Sequence, residues 1–323
     1  MQEPQLDALY EGVCDTLPFH LRRPARDLPY WLKLTPLPGT PWSEVFNNEV
    51  TLAAPTLFAE AFGKVGTRAM RSATLAHMLA VIEAFGTDRI EDGQIEATQE
   101  VSEILGELRK VRDRCLVNLT RDRVSTGTVL ARTKTADEAS VQAIRAERAL
   151  LESGAPISLR TYEQVSLGKQ AVGFPATLLL AEAQGWDARR LRCLEGTLAS
   201  IWLALQYEDD VVDWEDDYER GAAWALSLAR GLRRHRPSSR QSEPSLVHSM
   251  VLWSGVLERM LRLARRRYRA VRRRAEVLGA PRLVSWADQR LARLEGLILG
   301  ESRDPGYAVR VRKLAPWACE VLA

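Results

Sequence analysis

Apolar residues recur at helical spacing along most of this chain, and no other feature limits its fold as strongly. Leu75, Leu79, Ile82, Phe85 and Ile90 form one such run, with steps of three to five residues. Patterns of alternating apolar and polar residues, which are typical of strands, are almost absent. Amphipathic helices of this kind are stable when their apolar faces pack on a common core. The sequence therefore predicts an all-α protein.

The helical pattern continues through most of the chain. It predicts helices over residues 68–87, 94–119, 138–152, 161–184, 188–217, 219–232, 246–278 and 281–299. Two polar stretches, around residues 120–137 and 233–245, are predicted to be loops. Because the flanking helices are similar in composition and no repeat is visible, we expect one helical domain over residues 55–323.

The N-terminal part differs from the rest. Six prolines lie between residues 18 and 41. Since proline interrupts a helix interior, this stretch predicts no long helix. We expect residues 18–41 to be extended, within a proline-rich N-terminal arm over residues 1–54 that packs on the helical bundle.

Length and composition indicate what kind of protein this is and where we expect it in the cell. The chain has 323 residues, a net charge of +3 and 46% hydrophobic residues, which suffices for a substantial core. No apolar run reaches the roughly 18 to 20 residues that span a bilayer. The first residues lack the basic and apolar parts of a signal peptide. We expect a cytoplasmic protein whose four widely spaced cysteines are reduced thiols.

An acidic cluster follows an apolar helix. Asp213 lies four residues after Asp209 and three after Asp210, so a helix is predicted to bring all three to one face. Like charges so close repel, and a Mg²⁺ ion would relieve the repulsion because it prefers carboxylate oxygens. The alternative is a solvated acidic helix end. We favour metal binding because the preceding apolar residues should draw the acids toward the core; they are Leu198, Ile201, Trp202, Leu205 and Val212.

Two weaker features add to this cluster. Asp88, Glu91 and Asp92 lie at the end of a predicted helix, again on one face. Lys169 is a single lysine among small and apolar residues, where its ammonium needs an anion. The alternatives are an ordinary polar helix end and a lysine whose ammonium reaches water along its own stem.

At these residues the sequence resembles the class I isoprenoid synthases, which include trans-prenyl diphosphate synthases and class I terpene cyclases. The segment Gln206-Tyr-Glu-Asp-Asp-Val-Val-Asp213 resembles their second aspartate-rich motif. The spacing from Tyr162 to Lys169 is similar to that of their lysine-bearing helix. Asp88–Asp92 would stand at the first motif, with Arg89 in place of its second aspartate. The resemblance implies a helical bundle around a central apolar cavity, with the acidic motifs on opposite walls of its mouth.

The resemblance also implies roles for individual residues. It makes Asp88, Asp92, Asp209, Asp210, Asp213 and Lys169 the catalytic residues, and three Mg²⁺ ions would be bound by Asp88, Glu91, Asp92, Asp209, Asp210 and Asp213. Substrate would be bound by Lys169, Gln206, Arg89, Arg303 and Tyr307. Apart from the resemblance, helical spacing places His77 about three turns before Asp88 on the same side, and the aromatic rings of Tyr207 and Trp202 beside the second motif could contact a cationic substrate. For His77 and Trp202, simple core packing is the alternative.

Departures from the family determine which activity is expected. Chain-elongating members carry a Gly-Gly-Lys-Arg type segment well upstream and an Arg-Arg-Gly after the first motif. Here Gly63–Arg68 ends only 20 residues before Asp88, and Asp92 is followed by Gly93-Gln94-Ile95. We therefore expect a Mg²⁺-dependent terpene cyclase that ionises an allylic prenyl diphosphate. The alternatives are a trans-prenyltransferase that condenses two isoprenoid units, and a non-catalytic protein that binds prenyl diphosphate or an anionic surface.

A second charged feature lies near the C-terminus. Residues 259–274 contain nine arginines, set around an apolar line at Leu261, Ala264, Tyr268, Val271, Ala275 and Leu278. A solvated face, an anionic membrane, nucleic acid and a diphosphate are the competing explanations. Among partners we expect a prenyl diphosphate, no nucleic acid, peripheral membrane contact and a homodimer.

Overall fold

The computed structural model describes residues 3–46, 48–120, 123–220, 223–232, 251 and 254–298. Within these ranges every regular element is helical and no strand is present. The prediction of an all-α protein is confirmed. None of the helices in this part of the chain combines the length and the apolar character needed to cross a bilayer.

The helices are numbered in chain order. They are α1 (Glu3–Thr16), α2 (Phe19–Arg26), α3 (Leu28–Trp31), α4 (Trp42–Val45), α5 (Glu49–Ala53), α6 (Ala59–Phe62), α7 (Thr67–Glu91), α8 (Gln99–Thr120), α9 (Thr126–Ser153), α10 (Leu159–Lys169), α11 (Pro175–Ala183), α12 (Ala188–Val212), α13 (Trp214–Glu219), α14 (Trp224–Leu232), α15 (Val256–Leu278) and α16 (Pro281–Ile298). Two short 3₁₀ helices cover Ala54–Phe58 and Gln170–Gly173.

The prediction of an extended N-terminal arm is wrong, because the described residues before 54 form the short helices α1 to α5. Several of these prolines stand at or just before the start of a short helix. Pro18 precedes the first residue of α2, and Pro29 lies in the first turn of α3, where a missing N–H costs no hydrogen bond. Tyr10, Leu21 and Leu28 are buried in one cluster with residues of α7 and α8, so this segment packs on those helices.

The predicted loop over residues 120–137 is also wrong in its second half, because α9 begins at Thr126. Ser125 marks the start of this helix: its hydroxyl accepts a hydrogen bond of 3.2 Å from the Thr128 N–H. The β-branched residues Val129 and Thr133 then lie buried on one side of α9. Tertiary packing here outweighs their weak helix propensity. The other predicted loop, 233–245, lies outside the described residues.

The chain divides into two compact units, each made of separate stretches. The first contains Met1–Arg145, Gly168–Gly196 and Val277–Arg282, and the second contains Ala146–Leu167, Thr197–Glu276 and Leu283–Ala323. Two clusters of buried side chains, one around Met78 and Ile82 and one around Leu116 and Val129, form much of the core of the first unit.

Aromatic residues are prominent in the core of the second unit. The Tyr162 ring lies 5.0 Å from the Tyr207 ring and 5.3 Å from the Trp224 ring, and Tyr268 packs edge-on against Trp286 at 5.6 Å. The first two contacts join α10 to α12 and to α14. The third joins α15 to α16.

A buried ion network ties α7 to α8 and α9 in the first unit. Arg112 of α8, with 2% of its side chain exposed, donates two hydrogen bonds of 2.8 and 2.7 Å to Asp137 of α9. It also contacts Glu83 of α7 at 3.0 Å, and Arg109 donates to the same carboxylate at 2.6 Å. Burial raises the pKa of Glu83, an effect that the two arginines oppose. This network anchors the half of α7 that carries Asp88.

Candidate active site

The first acidic motif lies at the C-terminal end of α7, in the first unit, and begins with Asp88. The Lys169 ammonium, at the end of α10, lies 3.3 Å from Asp88 Oδ1. That oxygen is shielded from solvent and accepts no hydrogen bond from a described residue. The contact with Lys169 is therefore an ion pair whose geometry is not that of a hydrogen bond. The structure thus brings together two residues that the sequence predicted for one site.

The remaining members of this motif have other contacts. Arg145 of α9 binds both oxygens of Glu91, at 2.7 and 3.3 Å. Asp92 is exposed just after α7, and Arg89 points to the Lys33 carbonyl oxygen at 3.4 Å. Asp88 is therefore a motif carboxylate that faces Lys169, while Glu91 is bound by an arginine that no sequence pattern indicates.

Lys169 is positioned by α9. The Ser140 hydroxyl donates a hydrogen bond of 2.8 Å to the Lys169 carbonyl oxygen. A Cβ added to Gly168 would lie 2.6 Å from the Ala143 Cβ, so only glycine allows α10 to approach α9 this closely. Sequence analysis missed Ser140 and Gly168. The run of small residues around Lys169 was the one available signal.

The second acidic motif lies in the second unit, where α12 ends. The prediction that Asp209, Asp210 and Asp213 share one face is wrong for Asp210. Asp209 is exposed and Asp213 is half-buried just before α13, but Asp210 is only 5% exposed. Adjacent residues of an α-helix are about 100° apart around its axis, so Asp210 turns inward where Asp209 turns outward.

Asp210 is held by two neighbours. The Tyr162 hydroxyl donates to its Oδ2 at 2.5 Å, and the Gln206 amide donates to its Oδ1 at 2.8 Å. Burial raises the pKa of Asp210 well above its usual range, although both hydrogen bonds favour the charged form. Both carboxylate oxygens of Asp210 are thus already bound. Tyr162 is separated from it by 48 residues, and no sequence pattern signals this contact.

The predicted aromatic residues lie in the core of the second unit. Tyr207 is fully buried and donates a hydrogen bond of 2.9 Å to Glu163, which also accepts one of 2.5 Å from Arg267. Trp202 is 4% exposed. Their role in substrate binding stays a prediction. Arg303 and Tyr307, also predicted to bind substrate, lie outside the described residues.

His77 is a fully buried residue of α7. Its Nε2 atom lies 3.1 Å from the Val50 carbonyl oxygen, which is hydrogen-bond distance. Burial lowers the pKa of His77 to about 4, although nearby backbone groups oppose the shift. These features are typical of a histidine that packs in the core, which was the alternative to a substrate contact. The predicted substrate contact stays a prediction.

The low pKa of His77 predicts a loss of stability in acid. Between pH 7 and pH 5 the unfolded chain binds a proton at this histidine that the folded chain does not, so stability falls by about 2 kcal/mol. Urea unfolding at both pH values should show this dependence reduced in His77→Gln. It should persist in His20→Gln, which alters a histidine with 66% of its side chain exposed. Equal pH dependence in His77→Gln and the unmodified protein would contradict the assignment.

The described residues contain no group of three His, Cys, Asp or Glu side chains arranged to hold a metal ion by themselves. The candidate carboxylates lie close in sequence, as Asp88 and Asp92 in the first unit and as Asp209 and Asp213 in the second. Mg²⁺ usually keeps several waters and uses one or two carboxylates together with substrate phosphates. The buried Oδ1 of Asp88, which accepts no hydrogen bond within the described part of the chain, fits such a ligand.

The structure is similar to solved polyprenyl synthases. A polyprenyl synthetase from Streptomyces coelicolor A3(2) matches with a TM-score of 0.70 and 17% sequence identity, over 89% of this chain and 97% of that one. The chain has the fold of a polyprenyl synthase. The implied class I isoprenoid synthase fold is therefore confirmed.

Two further polyprenyl synthase structures show the same fold. One, from Caulobacter crescentus CB15 in complex with calcium and isoprenyl diphosphate, has a TM-score of 0.67 and 15% identity, over 90% of this chain and 94% of that one. The other, from Roseobacter denitrificans, has a TM-score of 0.56 and 17% identity, over 90% and 98%. No protein-family model and no curated protein sequence matches the chain.

Proposed function

We propose that this protein is a divalent-metal-dependent prenyltransferase that joins an allylic prenyl diphosphate to a second substrate. The observation that carries the proposal is the pair formed by Lys169 and Asp88: the buried Oδ1 of Asp88 lies 3.3 Å from the ammonium and accepts no hydrogen bond from the residues that the structure describes. A metal diphosphate would suit this pair, because the Asp88 oxygen would bind the cation and the lysine would bind a phosphate oxygen.

Each motif would hold divalent cations through its own carboxylates. Asp88 and Asp92 would act from the first motif, and Asp209 and Asp213 from the second, since Asp209 is exposed and Asp213 half-buried. When bound, Mg²⁺ would neutralise the charge that develops on the departing diphosphate. Lys169 would bind and orient that diphosphate. Asp210 would position the second motif through its bonds to Tyr162 and Gln206.

The comparisons favour transfer over the cyclisation that the sequence predicted, because the three solved structures described above are polyprenyl synthases. The Caulobacter protein was solved with calcium and isoprenyl diphosphate, which supports a divalent cation and a prenyl diphosphate here. A terpene cyclase is the second candidate. It is favoured by Gly93-Gln94-Ile95, which stands where elongating enzymes carry Arg-Arg-Gly.

Product analysis separates the two candidates. The protein is incubated with Mg²⁺ and geranyl, farnesyl or geranylgeranyl diphosphate, with and without isopentenyl diphosphate, and products are identified by mass spectrometry. Longer prenyl diphosphates that form only with isopentenyl diphosphate are the result expected of a chain-elongating transferase. A hydrocarbon or alcohol formed from the allylic substrate alone would show a cyclase instead.

Removal of the Lys169 charge should weaken diphosphate binding. Lys169→Met keeps the apolar stem but loses the charged hydrogen bond, which is worth about 1.5 to 3 kcal/mol. Calorimetric titration with inorganic diphosphate and Mg²⁺ should therefore show a Kd raised by about ten- to a hundredfold.

Lys134→Met provides a matched control, because that lysine is 76% exposed on α9 and pairs with Glu138 of the same helix. Its affinity for diphosphate should equal that of the unmodified protein. If Lys169→Met also binds diphosphate normally, the lysine serves only as the partner of Asp88.

A further inference from the structure

Helix α15 has one apolar side that is buried and several sides covered by arginine. The predicted apolar line is confirmed: each of its members is at most 4% exposed, namely Leu261, Ala264, Tyr268, Val271, Ala275 and Leu278. The helix is thus fixed to the protein along its length, and its arginines are held in defined directions.

Three of the nine arginines are used within the second unit. Arg267 donates to Glu163 at 2.5 Å, Arg272 to Asp288 at 2.8 Å, and Arg274 to the Ser200 hydroxyl at 2.7 Å. These contacts tie α15 to α10, α16 and α12. They explain part of the arginine content by packing, without an external partner.

Five other arginines form a continuous row, here called the arginine stripe: Arg259, Arg262, Arg266, Arg269 and Arg273. Their alternating spacing of three and four residues places them on one face of α15, and all five are exposed. From the first to the last the stripe is about 21 Å long, at 1.5 Å per residue.

The stripe has few counter-charges. Arg262 pairs with Glu258 at 2.7 Å, a contact in which both side chains are about 60% exposed and which contributes little. Among the described residues, no carboxylate lies within 4.0 Å of Arg266, Arg269 or Arg273. Five aligned cations of this kind are complementary to a surface with many anionic groups.

We propose that the arginine stripe docks this protein on an anionic lipid bilayer, with the guanidinium groups against lipid phosphates. A bilayer presents phosphates over a plane that can meet the whole stripe at once. Single-stranded nucleic acid fits less well, because its bases stack on exposed aromatic rings and the aromatic residue of α15, Tyr268, is fully buried. Duplex DNA is the competing ligand of the experiment below. The stripe stands independently of the proposed function, although a prenyl chain would also partition into lipid.

The apolar line of α15 is buried, so the attachment should be electrostatic and reversible. Each arginine near an anionic surface adds to the attraction, and salt screens it within a Debye length of about 10 Å at 0.1 M ionic strength. Binding should therefore require anionic lipid and decrease steeply as salt is added.

Vesicle sedimentation with the full chain tests this proposal. Vesicles of phosphatidylcholine alone are compared with vesicles that also contain phosphatidylglycerol. The test variant carries Arg262→Gln, Arg266→Gln, Arg269→Gln and Arg273→Gln; Arg259 is kept because it also lines a small cavity beside Ile157. Glutamine has nearly the helix propensity of arginine, so circular dichroism should show α15 intact.

The matched control removes the same charge from four exposed arginines elsewhere: Arg71→Gln, Arg114→Gln, Arg189→Gln and Arg192→Gln. The stripe variant should bind phosphatidylglycerol vesicles at least about tenfold more weakly than the unmodified protein, and the control variant should stay within about twofold. Equal losses in both variants, or equal binding to phosphatidylcholine alone, would overturn the proposal. So would tighter binding to duplex DNA than to vesicles, which would assign the stripe to nucleic acid.

Discussion

Asp209→Asn and Asp213→Asn should each lower the turnover of an allylic prenyl diphosphate by at least about a hundredfold. Asp209 lies in the last turn of α12 and is exposed, and Asp213 directly follows this helix and is half-buried. Asparagine keeps the size of the side chain but removes the charge that would hold the metal diphosphate. The unfolding free energy of the apo protein should not fall, because the change removes mutual repulsion between acids. Steady-state kinetics and urea unfolding measure the two effects.

Asp216→Asn is the matched control, because this exposed aspartate lies on α13, only three residues beyond Asp213. Its turnover should be close to that of the unmodified protein. Asp210→Asn should also behave differently from Asp209→Asn, since Asp210 is buried against Tyr162 and Gln206. Near-normal turnover in Asp213→Asn would remove the second motif from the catalytic site.

Arg112→Met should destabilise the protein by about 3 to 5 kcal/mol, the usual effect of removing one partner from a buried ion pair. The substitution leaves Glu83, with 6% of its side chain exposed, and Asp137 without the guanidinium between them. Urea unfolding should show a lower midpoint with an unchanged slope.

Arg114→Met is the control for this effect, because Arg114 is exposed on the same helix. A surface substitution of this kind changes stability by no more than about 0.5 kcal/mol. A similarly small change in Arg112→Met would mean that the network does not anchor α7. The combined variant with Glu83→Gln and Asp137→Asn should recover part of the loss, since it leaves no unpaired charge buried.

Helical periodicity predicted much of the fold because burial of one apolar face is a local property of each segment. The line from Leu261 to Leu278 is buried as predicted, and α16 begins at Pro281 as predicted. The prediction of helices was wrong where proline content and polar composition indicated an extended segment or a loop. The prolines before residue 42 lie among short helices, and the Ser125 cap begins a helix inside a predicted loop.

The site was predictable only in part, for a similar reason. Lys169 and Asp88 could be found because a cation among apolar residues and a carboxylate at a helix end are each unusual in their own segments. The partners of the other acids could not be found. Arg145 lies 54 residues from Glu91, and Tyr162 lies 48 residues from Asp210, so only the tertiary structure brings them together.

Some expectations remain predictions. The central apolar cavity, the number of Mg²⁺ ions, the homodimer, the cytoplasmic location and the domain boundary at residue 54 follow from the sequence and the resemblance alone. The proposed transferase needs a metal and a prenyl diphosphate, but it does not depend on these expectations.

Release of inorganic diphosphate is the most direct test of this account. The full chain is incubated with geranyl, farnesyl or geranylgeranyl diphosphate, each with isopentenyl diphosphate, in Mg²⁺ or in excess chelator, and free diphosphate is measured over time. We expect release with at least one allylic substrate in Mg²⁺, none in chelator, and a loss of at least about a hundredfold in Asp209→Asn. Absence of release from every substrate by folded protein in Mg²⁺, or release that persists in chelator, would contradict it.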